Sequence, residues 1–413
     1  MAIEMERAER SPPLWWTVFK CAAVVLVLYM FLGGMAMMGD GLKSLGRNPD
    51  YDPDGAVAVD DRPYREVVYD IFEYADNPMV GFFVGILVTA VFQSSSFTTS
   101  FVVSLVVTTP LTLHQAIFIV MGANIGTSIT AVGVSFTHVR RQQEFARAYG
   151  AATVHEFFKV LTVLVFLPLE WVVYNLTGAG VLERASSKLS VLLCTGRATG
   201  DAPTNPLKEC VRPVVEGLEW LLHEALDLSV VVAGIVLGIL GVVLILVALI
   251  LMTMILRSLV VHRVERFFDK VLFRNAGAAF VVGLVLTAIV QSSSVTTSLV
   301  VPLAGTGLLS IAQVLPYTLG AAIGTTVTAL LASLATSADT PEQAAVGVAL
   351  ACSHLLFNVF GSMIWYPFRR VPVFIARWFG GIASRDRRLA LALVLSAFFG
   401  LPILSVIVSW LLG

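Results

Sequence analysis

Seven stretches of the chain are long and apolar enough to cross a bilayer as helices, and they limit the fold more than any other feature. A bilayer core about 30 Å thick needs roughly 20 apolar residues in a helix. Within lipid, a chain segment must satisfy its own backbone polar groups, which favours helices. The predicted spans are 15–38, 111–136, 151–177, 229–256, 311–334, 344–366 and 389–412. We therefore predict an all-α polytopic membrane protein.

The composition excludes the main soluble classes. Of 413 residues, 57% are hydrophobic and 13% are charged, whereas a soluble domain has about 25% charged residues. The net charge of −1 gives no long-range field for a polyanion. We therefore expect no nucleic-acid partner and no cytosolic enzyme; the partner of the surface is the lipid bilayer.

Two further apolar stretches, 78–109 and 276–309, are interrupted near the middle by Gln-Ser-Ser-Ser. Each is long for one span and short for two spans with a loop. A polar break of this kind is typical of a helix-break-helix hairpin that enters the membrane and turns back. We predict two re-entrant hairpins.

The charges between the apolar stretches predict the orientation. Segments 138–149, 257–274 and 367–388 together hold 14 Arg and Lys residues and 4 acids, whereas 39–77 and 178–228 are acidic on balance. The positive-inside rule places the basic segments in the cytoplasm and the acidic ones outside. The spans alternate consistently when both hairpins are re-entrant, with the N-terminus inside and the C-terminus outside.

This topology divides the chain into successive segments. Interfacial amphipathic helices are expected at 63–77 and 257–274, which mix charged and apolar residues, and Gly400-Leu401-Pro402 is a possible break in the last span. The segments are a cytoplasmic N-terminus (1–14), a first span with an extracellular interfacial segment (15–77), repeat 1 (78–177), an extracellular loop (178–228), a span with a cytoplasmic interfacial helix (229–275), repeat 2 (276–366), a basic cytoplasmic segment (367–388) and a C-terminal hydrophobic segment (389–413).

The two hairpins belong to an internal repeat. Residues 85–132 align without a gap with 283–330, and 23 of the 48 positions are identical. An odd number of predicted crossings separates the copies, so they are expected to lie upside down relative to each other. Inverted repeats with broken helices are the architecture of secondary transporters, whose substrate and ion sites lie between the repeats.

The hairpin breaks carry the predicted site. Backbone amides at the start of each second arm, at the positive end of a helix, suit an anion, and Ser, Thr and Gln oxygens suit sodium. A single Ser-rich patch is explained as well by hydrogen bonds between helices, but two matched copies favour a binding site. The candidate substrate ligands are Gln93, Ser94, Ser95, Ser96, Thr99, Gln291, Ser292, Ser293, Ser294 and Thr297.

A second repeated motif, Gly-Ala-x-Ile-Gly-Thr, starts at 122 and at 320. Its glycines are explained either by close helix packing or by an unwound stretch that offers carbonyl oxygens to a cation. We predict the second role, and a broken helix in each repeat. The candidate sodium ligands are Gln93, Ser96, Thr98, Asn124, Thr127, Gln291, Ser294, Thr296 and Thr325.

Other polar residues of the spans have structural explanations. Glu156 and Lys159 lie three residues apart and are expected to neutralise each other on one helix face. His155 and His354 are explained as proton relays, as partners of Ser, or as satisfied core histidines, and we favour the core role; no Gly-x-Ser-x-Gly elbow supports a Ser/His hydrolase. Cys194 and Cys210 both fall in the 178–228 segment, where either a disulfide or two free thiols are possible.

These motifs resemble the type II sodium-dependent phosphate cotransporters of the bacterial short form. The similarity rests on QSSSFTTS, MGANIGTSIT, ATVHEFF, QSSSVTTS and LPYTLGAAIGTTVTALLA and runs from about residue 15 to 412. It implies a two-repeat transporter whose hairpins bind phosphate and sodium, and it also implies a disulfide, which Cys194 and Cys210 would supply. The family commonly has Asn at the positions of Ala322 and Lys159.

The sequence therefore predicts a secondary active transporter, not an enzyme. It would carry inorganic phosphate into the cell with sodium as coupling ion and no organic cofactor, by alternating access, in the plasma membrane (the inner membrane of a bacterium). Symport of another oxyanion or small carboxylate, an anion channel, and an intramembrane hydrolase are the alternatives. The oligomeric state, the sodium stoichiometry and the strictness of phosphate selectivity are left open.

Overall fold

The computed structural model describes residues 14–45, 77–194, 206–271, 275–336, 338 and 340–412. Sixteen α-helices and no strand occur in these ranges, which confirms the all-α prediction. The helices are α1 (Leu14–Leu45), α2 (Pro78–Phe92), α3 (Ser95–Thr108), α4 (Leu113–Ile125), α5 (Ser128–Ser135), α6 (Gln142–Thr177), α7 (Val181–Cys194), α8 (Pro206–Trp220), α9 (Val230–Val271), α10 (Ala276–Val290), α11 (Ser293–Gly305), α12 (Ile311–Ala335), α13 (Pro341–Trp365), α14 (Arg370–Arg385), α15 (Arg387–Leu395) and α16 (Leu401–Leu412).

Seven helices or helix runs in the described residues are long and apolar enough to cross a membrane, at the seven predicted places. Helix α9 continues to Val271, so residues 257–271 are helical and extend the span without a break, while their interfacial position stays a prediction. No Gly or Pro lies between Leu256 and Val271 to end the helix. The interfacial helix predicted at 63–77 lies, except for its last residue, outside the described residues.

The last span is not broken at its Gly-Leu-Pro sequence. A π-helical turn, Ser396–Gly400, joins α15 to α16. Such a turn adds a residue to the helical path without ending it, so the proline that follows is accommodated by locally wider winding. The predicted break is therefore a π-bulge.

Both Gln-Ser-Ser-Ser sequences lie at the tip of a helical hairpin. The arms α2 and α10 each have 15 residues, and α3 and α11 have 14 and 13. At 1.5 Å per residue an arm is about 20 Å long, too short for a bilayer core of about 30 Å. The hydroxyls of Thr89 and Thr98 are 2.8 Å apart across the first break, so the arms fold back on each other. Thr287 and Thr296 make the same contact, at 2.7 Å, in the second hairpin.

The hairpins interlock the two halves of the molecule. Each first arm packs on its own half, α2 on α4 and α10 on α12, whereas α3 contacts α12 and α13, and α11 contacts α5 and α6. Glycines permit the close packing within each half. A Cβ on Gly122 would overlap the carbonyl oxygen of Phe82, and a Cβ on Gly320 would overlap that of Phe280.

The glycine motif interrupts its helix in one half only. In the first half α4 ends at Ile125, two turn residues follow, and α5 begins at Ser128. In the second half α12 runs unbroken through Thr325, so the broken helix predicted for the second repeat is wrong. Alanine at 322 favours the helix more than Asn at 124 does, and the Thr325 hydroxyl donates to Ala321 O at 2.9 Å within it.

Only one cysteine of the predicted disulfide has a described side chain. Cys210 is exposed and has a free thiol, while the side chain of Cys194 lies outside the described residues. The backbone carbonyl of Cys210 accepts a hydrogen bond from the Tyr29 hydroxyl at 3.1 Å, which holds α8 against the first span. The pairing of the two cysteines stays a prediction.

Candidate functional site

The hairpin tips have the same backbone geometry. Gln93 and Gln291 end the first arms with φ of 54° and 57°, in the left-handed region that a residue with a Cβ rarely adopts. The serine that follows each is extended and caps the second arm. Ser94 Oγ accepts from Phe97 N at 3.1 Å, and Ser292 Oγ accepts from Val295 N at 3.4 Å. Such strain, repeated at two equivalent places, is typical of functional sites.

Two helix N-termini therefore start at the tips. Ser95 and Ser293 are the first residues of α3 and α11, and both are buried. Backbone N–H groups of a first helical turn lack partners in their own helix and carry the positive end of the helix dipole. An anion is the ligand that such a pair of helix ends favours.

The two tips touch each other. The Ser96 hydroxyl of the first hairpin donates to the backbone carbonyl of Gln291, in the second, at 3.0 Å. The predicted substrate ligands of the two hairpins, which are about 200 residues apart in the sequence, thus meet at one place.

The two glutamines differ in their side-chain contacts. Gln93 Nε2 donates to Ala90 O, and its Oε1 accepts from the Thr130 hydroxyl at 3.2 Å. Gln291 Oε1 is buried and has no hydrogen-bond partner among the described residues. Because an unpaired buried oxygen is costly, Gln291 Oε1 is a candidate for contact with a ligand.

Two matched hydroxyls of the second arms are paired in the second hairpin and have no described partner in the first. Thr297 and Ser298 donate to Ser293 O and Ser294 O, at 2.7 and 2.6 Å, within their own helix. Their counterparts in the first hairpin, Thr99 and Ser100, have buried hydroxyls without a partner in the described part of the chain. Thr98 and Thr296, predicted as sodium ligands, hold the arms of their hairpins together and also donate to the backbone carbonyls of the capping serines.

Asn124 and His354 join the halves at a second point. The Asn124 amide donates to Val120 O at 2.9 Å, and its Oδ1 lies 3.0 Å from His354 Nε2. In the second half, Ala322 offers no amide. Asn358, one turn after His354, donates to that residue's carbonyl at 2.9 Å, and its Oδ1 is buried without a partner among the described residues.

Lys159 lies beside the glycine motif of the first half. Its side chain is 2% exposed, and its Nζ donates to the Thr127 hydroxyl at 3.2 Å. The predicted ion pair with Glu156 is confirmed, but at 3.9 Å it is longer than a hydrogen bond. Thr127, predicted as a sodium ligand, therefore has a fixed ammonium group as its neighbour.

His354 and Lys159 contact predicted ligands but are not in the predicted ligand set. The repeated His-x-x-Phe sequence and the rarity of charge in an apolar span were the available signals. His155, the counterpart of His354, is fully buried and lies against the backbone of Thr318. Its interpretation as a core histidine stays a prediction.

The arrangement combines two helix N-termini with buried neutral oxygens. The oxygens without a described partner near the motifs come from both halves: Thr99, Ser100, Gln291, Thr328 and Asn358. Neutral hydroxyl and amide oxygens suit a hard monovalent cation, and helix N-termini suit an anion. The motifs of the two halves together therefore carry groups that suit both kinds of ion.

Comparison with known proteins agrees with this chemistry. The family model described as Na+/Pi-cotransporter matches residues 65–188 and 244–365. The chain is 31% identical over 404 residues to "Sodium-dependent phosphate transport protein 2B" of Homo sapiens, with 79% of the chain and 58% of that protein covered. It is 31% identical over 446 residues to "Sodium-dependent phosphate transport protein 2A" of Ovis aries, with 94% and 67% covered.

The similarity extends over most of this chain but over less of the curated relatives. The chain spans 58% of the length of the 2B proteins of Homo sapiens and Pongo abelii. No solved structure matches it. The two matched ranges of the family model each contain one hairpin and one glycine motif.

Proposed function

Because the chain belongs to the Na+/Pi-cotransporter family, we propose that it carries inorganic phosphate into the cell by symport with sodium, across the plasma membrane. The relatives it resembles are named sodium-dependent phosphate transport proteins. The observation that carries the proposal is the contact of two strained hairpin tips, joined by the Ser96 to Gln291 hydrogen bond.

Phosphate binds where the two second arms begin. The N–H groups of α3 and α11 at Ser95 and Ser293 face the anion with the positive ends of their helices. The free hydroxyls of Thr99 and Ser100 are further donors. No arginine or lysine belongs to either tip sequence, so a dianion needs added positive charge, and bound sodium supplies it.

Sodium binds at the neutral oxygens around the tips. Gln291 Oε1 and Asn358 Oδ1 are buried acceptors that lack a donor among the described residues. A carbonyl oxygen of this kind gains most from a cation. In the first half, the Lys159 ammonium already donates to the Thr127 hydroxyl, so the coupling ions are held chiefly by the second half.

The contacts at the hairpin ends support an inverted arrangement. The second hairpin ends at Gly305, whose carbonyl accepts two bonds from Arg147 of a basic segment predicted inside, at 2.9 and 3.1 Å. After the first hairpin the chain enters α4, where His114 Nδ1 lies 3.4 Å from Glu183 of the segment predicted outside. With the sides predicted from the charges, these contacts support hairpins that begin and end on opposite sides, the arrangement that alternating access between inverted repeats requires.

The function is tested by uptake into proteoliposomes. Purified protein with labelled phosphate and an imposed inward sodium gradient should accumulate phosphate above equilibrium, and a potassium gradient of the same size should give none. Sulfate and a dicarboxylate serve as competitors. If sulfate or the dicarboxylate abolished the accumulation of labelled phosphate, the transported anion would not be phosphate alone. Sodium-independent, non-saturating flux would indicate a channel.

The orientation is tested by cysteine labelling. In a variant with all four cysteines, Cys21, Cys194, Cys210 and Cys352, changed to Ser, a single cysteine replaces Arg141 or Lys188. An impermeant thiol reagent added to sealed right-side-out cells should label the Lys188 position and spare the Arg141 position. Labelling of both positions in permeabilised cells is the control. Labelling at Arg141 in sealed cells would contradict the inverted arrangement.

A further inference from the structure

An arginine-lined cavity of about 610 Å³ lies away from the hairpin tips. It is bounded by the first turns of α10 and α12 and by helix α14. Arg369, Arg370 and Arg377 line it, and none of its lining residues is acidic. The cavity therefore collects positive charge at the place where the second hairpin begins.

The three guanidinium groups have no counter-ion in the described part of the chain. All three residues are exposed, and no ion pair joins them to a described carboxylate. Arg369 lies over the Tyr366 ring, with 5.7 Å between its Cζ and the ring centroid. Arginine forks recognise phosphate oxygens in a bidentate manner, so the cavity has the chemistry for a phosphate group.

Helix ends add to this charge. Asn275, the N-cap of α10, and Ala276 line one wall, and Ala312 and Gln313, in the first turn of α12, line another. Both helices direct the positive ends of their dipoles at the cavity. An anion between them meets two helix N-termini as well as the arginines.

The surface beside the arginines is apolar and exposed. On α14 the residues Val371, Phe374 and Trp378 are 41%, 69% and 60% exposed, and their spacing of three and four residues places them on one face. Phe374 also lines the cavity. A helix with arginines beside an exposed apolar face that contains Trp is typical of the membrane interface.

We propose that this cavity binds the headgroup of an anionic phospholipid from the leaflet that faces the basic segments. The three arginines bind the headgroup phosphate, and the acyl chains lie along Phe374 and Trp378. Free phosphate would use the arginines but not the apolar face, so the joint presence of both favours a lipid. The inference is independent of the proposed transport function, since it uses no residue of the hairpin tips.

The test uses the full chain in vesicles of phosphatidylcholine with or without phosphatidylglycerol. Retained lipid is counted by native mass spectrometry, and the melting temperature is measured in parallel. Phosphatidylglycerol should bind the wild type and raise its melting temperature. Changing all three arginines to Gln should weaken the binding roughly 100-fold, at about fivefold for each arginine. Arg184→Gln, an exposed arginine of α7 outside the cavity, is the matched control and should bind as the wild type does.

Single-arginine variants and competition with inorganic phosphate distinguish lipid binding from misfolding and from binding of the free anion. If the triple variant fails to fold, Arg377→Gln should still lose about fivefold and Arg377→Lys should restore part of it. Equal retention of phosphatidylglycerol by wild type and Arg-to-Gln variants would overturn the proposal. Displacement of the lipid by inorganic phosphate alone would also overturn it, because the cavity would then be a site for the free anion.

Discussion

The two halves of the molecule share a scaffold but differ in which polar atoms are free. Both have a left-handed glutamine, a capping serine and a Thr–Thr contact at the hairpin. In the first half the hydroxyls of Thr99 and Ser100 have no described partner, whereas in the second half two amide oxygens, Gln291 Oε1 and Asn358 Oδ1, have none, as well as the Thr328 hydroxyl. The first hairpin thus offers hydroxyl groups, and the second half offers amide oxygens in addition to a hydroxyl.

This difference favours a different ion as the ligand of each repeat. Hydroxyl donors serve an oxyanion, and amide oxygens serve a cation. Lys159, which corresponds to Asn358 of the second half, strengthens the contrast because it places a covalently held amine beside the Thr127 hydroxyl in the first half. A duplicated scaffold can therefore bind two unlike ions with one set of helices.

The largest effect is expected from the tip glutamines. Gln291→Ala removes a free acceptor, so sodium-dependent uptake should fall about 10- to 100-fold while the melting temperature stays unchanged. Gln93→Ala also removes the bonds to Ala90 and Thr130, so it should lower both uptake and melting temperature. Gln143→Ala, at an exposed position, is the control. Wild-type uptake in both variants would remove the tips from the site.

Lys159→Asn makes the first half resemble the second and tests the role of the fixed charge. A buried cation beside a sodium site repels the ion, and a repulsion of about 1.4 kcal/mol is a tenfold change in affinity. Its removal should raise the apparent sodium affinity about tenfold or steepen the sodium dependence, and it should increase the charge moved per phosphate.

Two further variants isolate the charge of Lys159. Lys159→Met removes the charge without adding an amide and should give only the affinity change. Lys188→Asn, an exposed lysine, should leave the sodium curve unchanged. Initial uptake against sodium concentration and the reversal potential are the measurements. An unaltered sodium curve in folded Lys159→Asn protein would show that this charge is purely structural.

Sequence patterns were enough to locate the repeated elements. The apolar lengths placed all seven spans, and the Gln-Ser-Ser-Ser sequences placed both helix breaks, because each is a local property of the chain. The continuity of α12 was missed, since Ala322 and the Thr325 hydroxyl favour the helix in spite of two glycines. Contacts between the halves, such as Asn124 with His354, depend on tertiary packing and leave no local pattern.

A smaller effect is expected at the glycine motifs, where Asn124 and Ala322 differ. Asn124→Ala removes the partner of His354 across the halves and should lower stability by about 1–2 kcal/mol and reduce uptake. Ala322→Asn restores the missing amide and should shift the sodium dependence more than the phosphate affinity. Uptake against sodium at fixed phosphate is the measurement. An unchanged sodium curve in Ala322→Asn, with near-normal uptake in Asn124→Ala, would leave both positions as packing sites only.

The smallest effect is expected at the contacts of Glu183 with Gly180 and His114, which belong to the first half. Glu183 accepts from Gly180 N at 3.1 Å and lies 3.4 Å from His114, whereas the residue that corresponds to His114 is Ala312. Burial alone would raise the pKa of the Glu183 carboxyl, but His114 and the Gly180 amide outweigh it and lower the pKa below its usual value of 4.5. A carboxyl with a lowered pKa stabilises the folded state above its unfolded pKa, and this stability is lost as the pH falls through the folded value.

Glu183→Gln should therefore cost about 1 kcal/mol near neutral pH and nothing in acid below the folded pKa. The melting temperature of wild type and variant, measured from neutral pH downward, gives the difference. Glu342→Gln, at an exposed position in the first turn of α13, is the matched control. A constant difference at all pH values would mean that the Glu183 contacts do not depend on its charge.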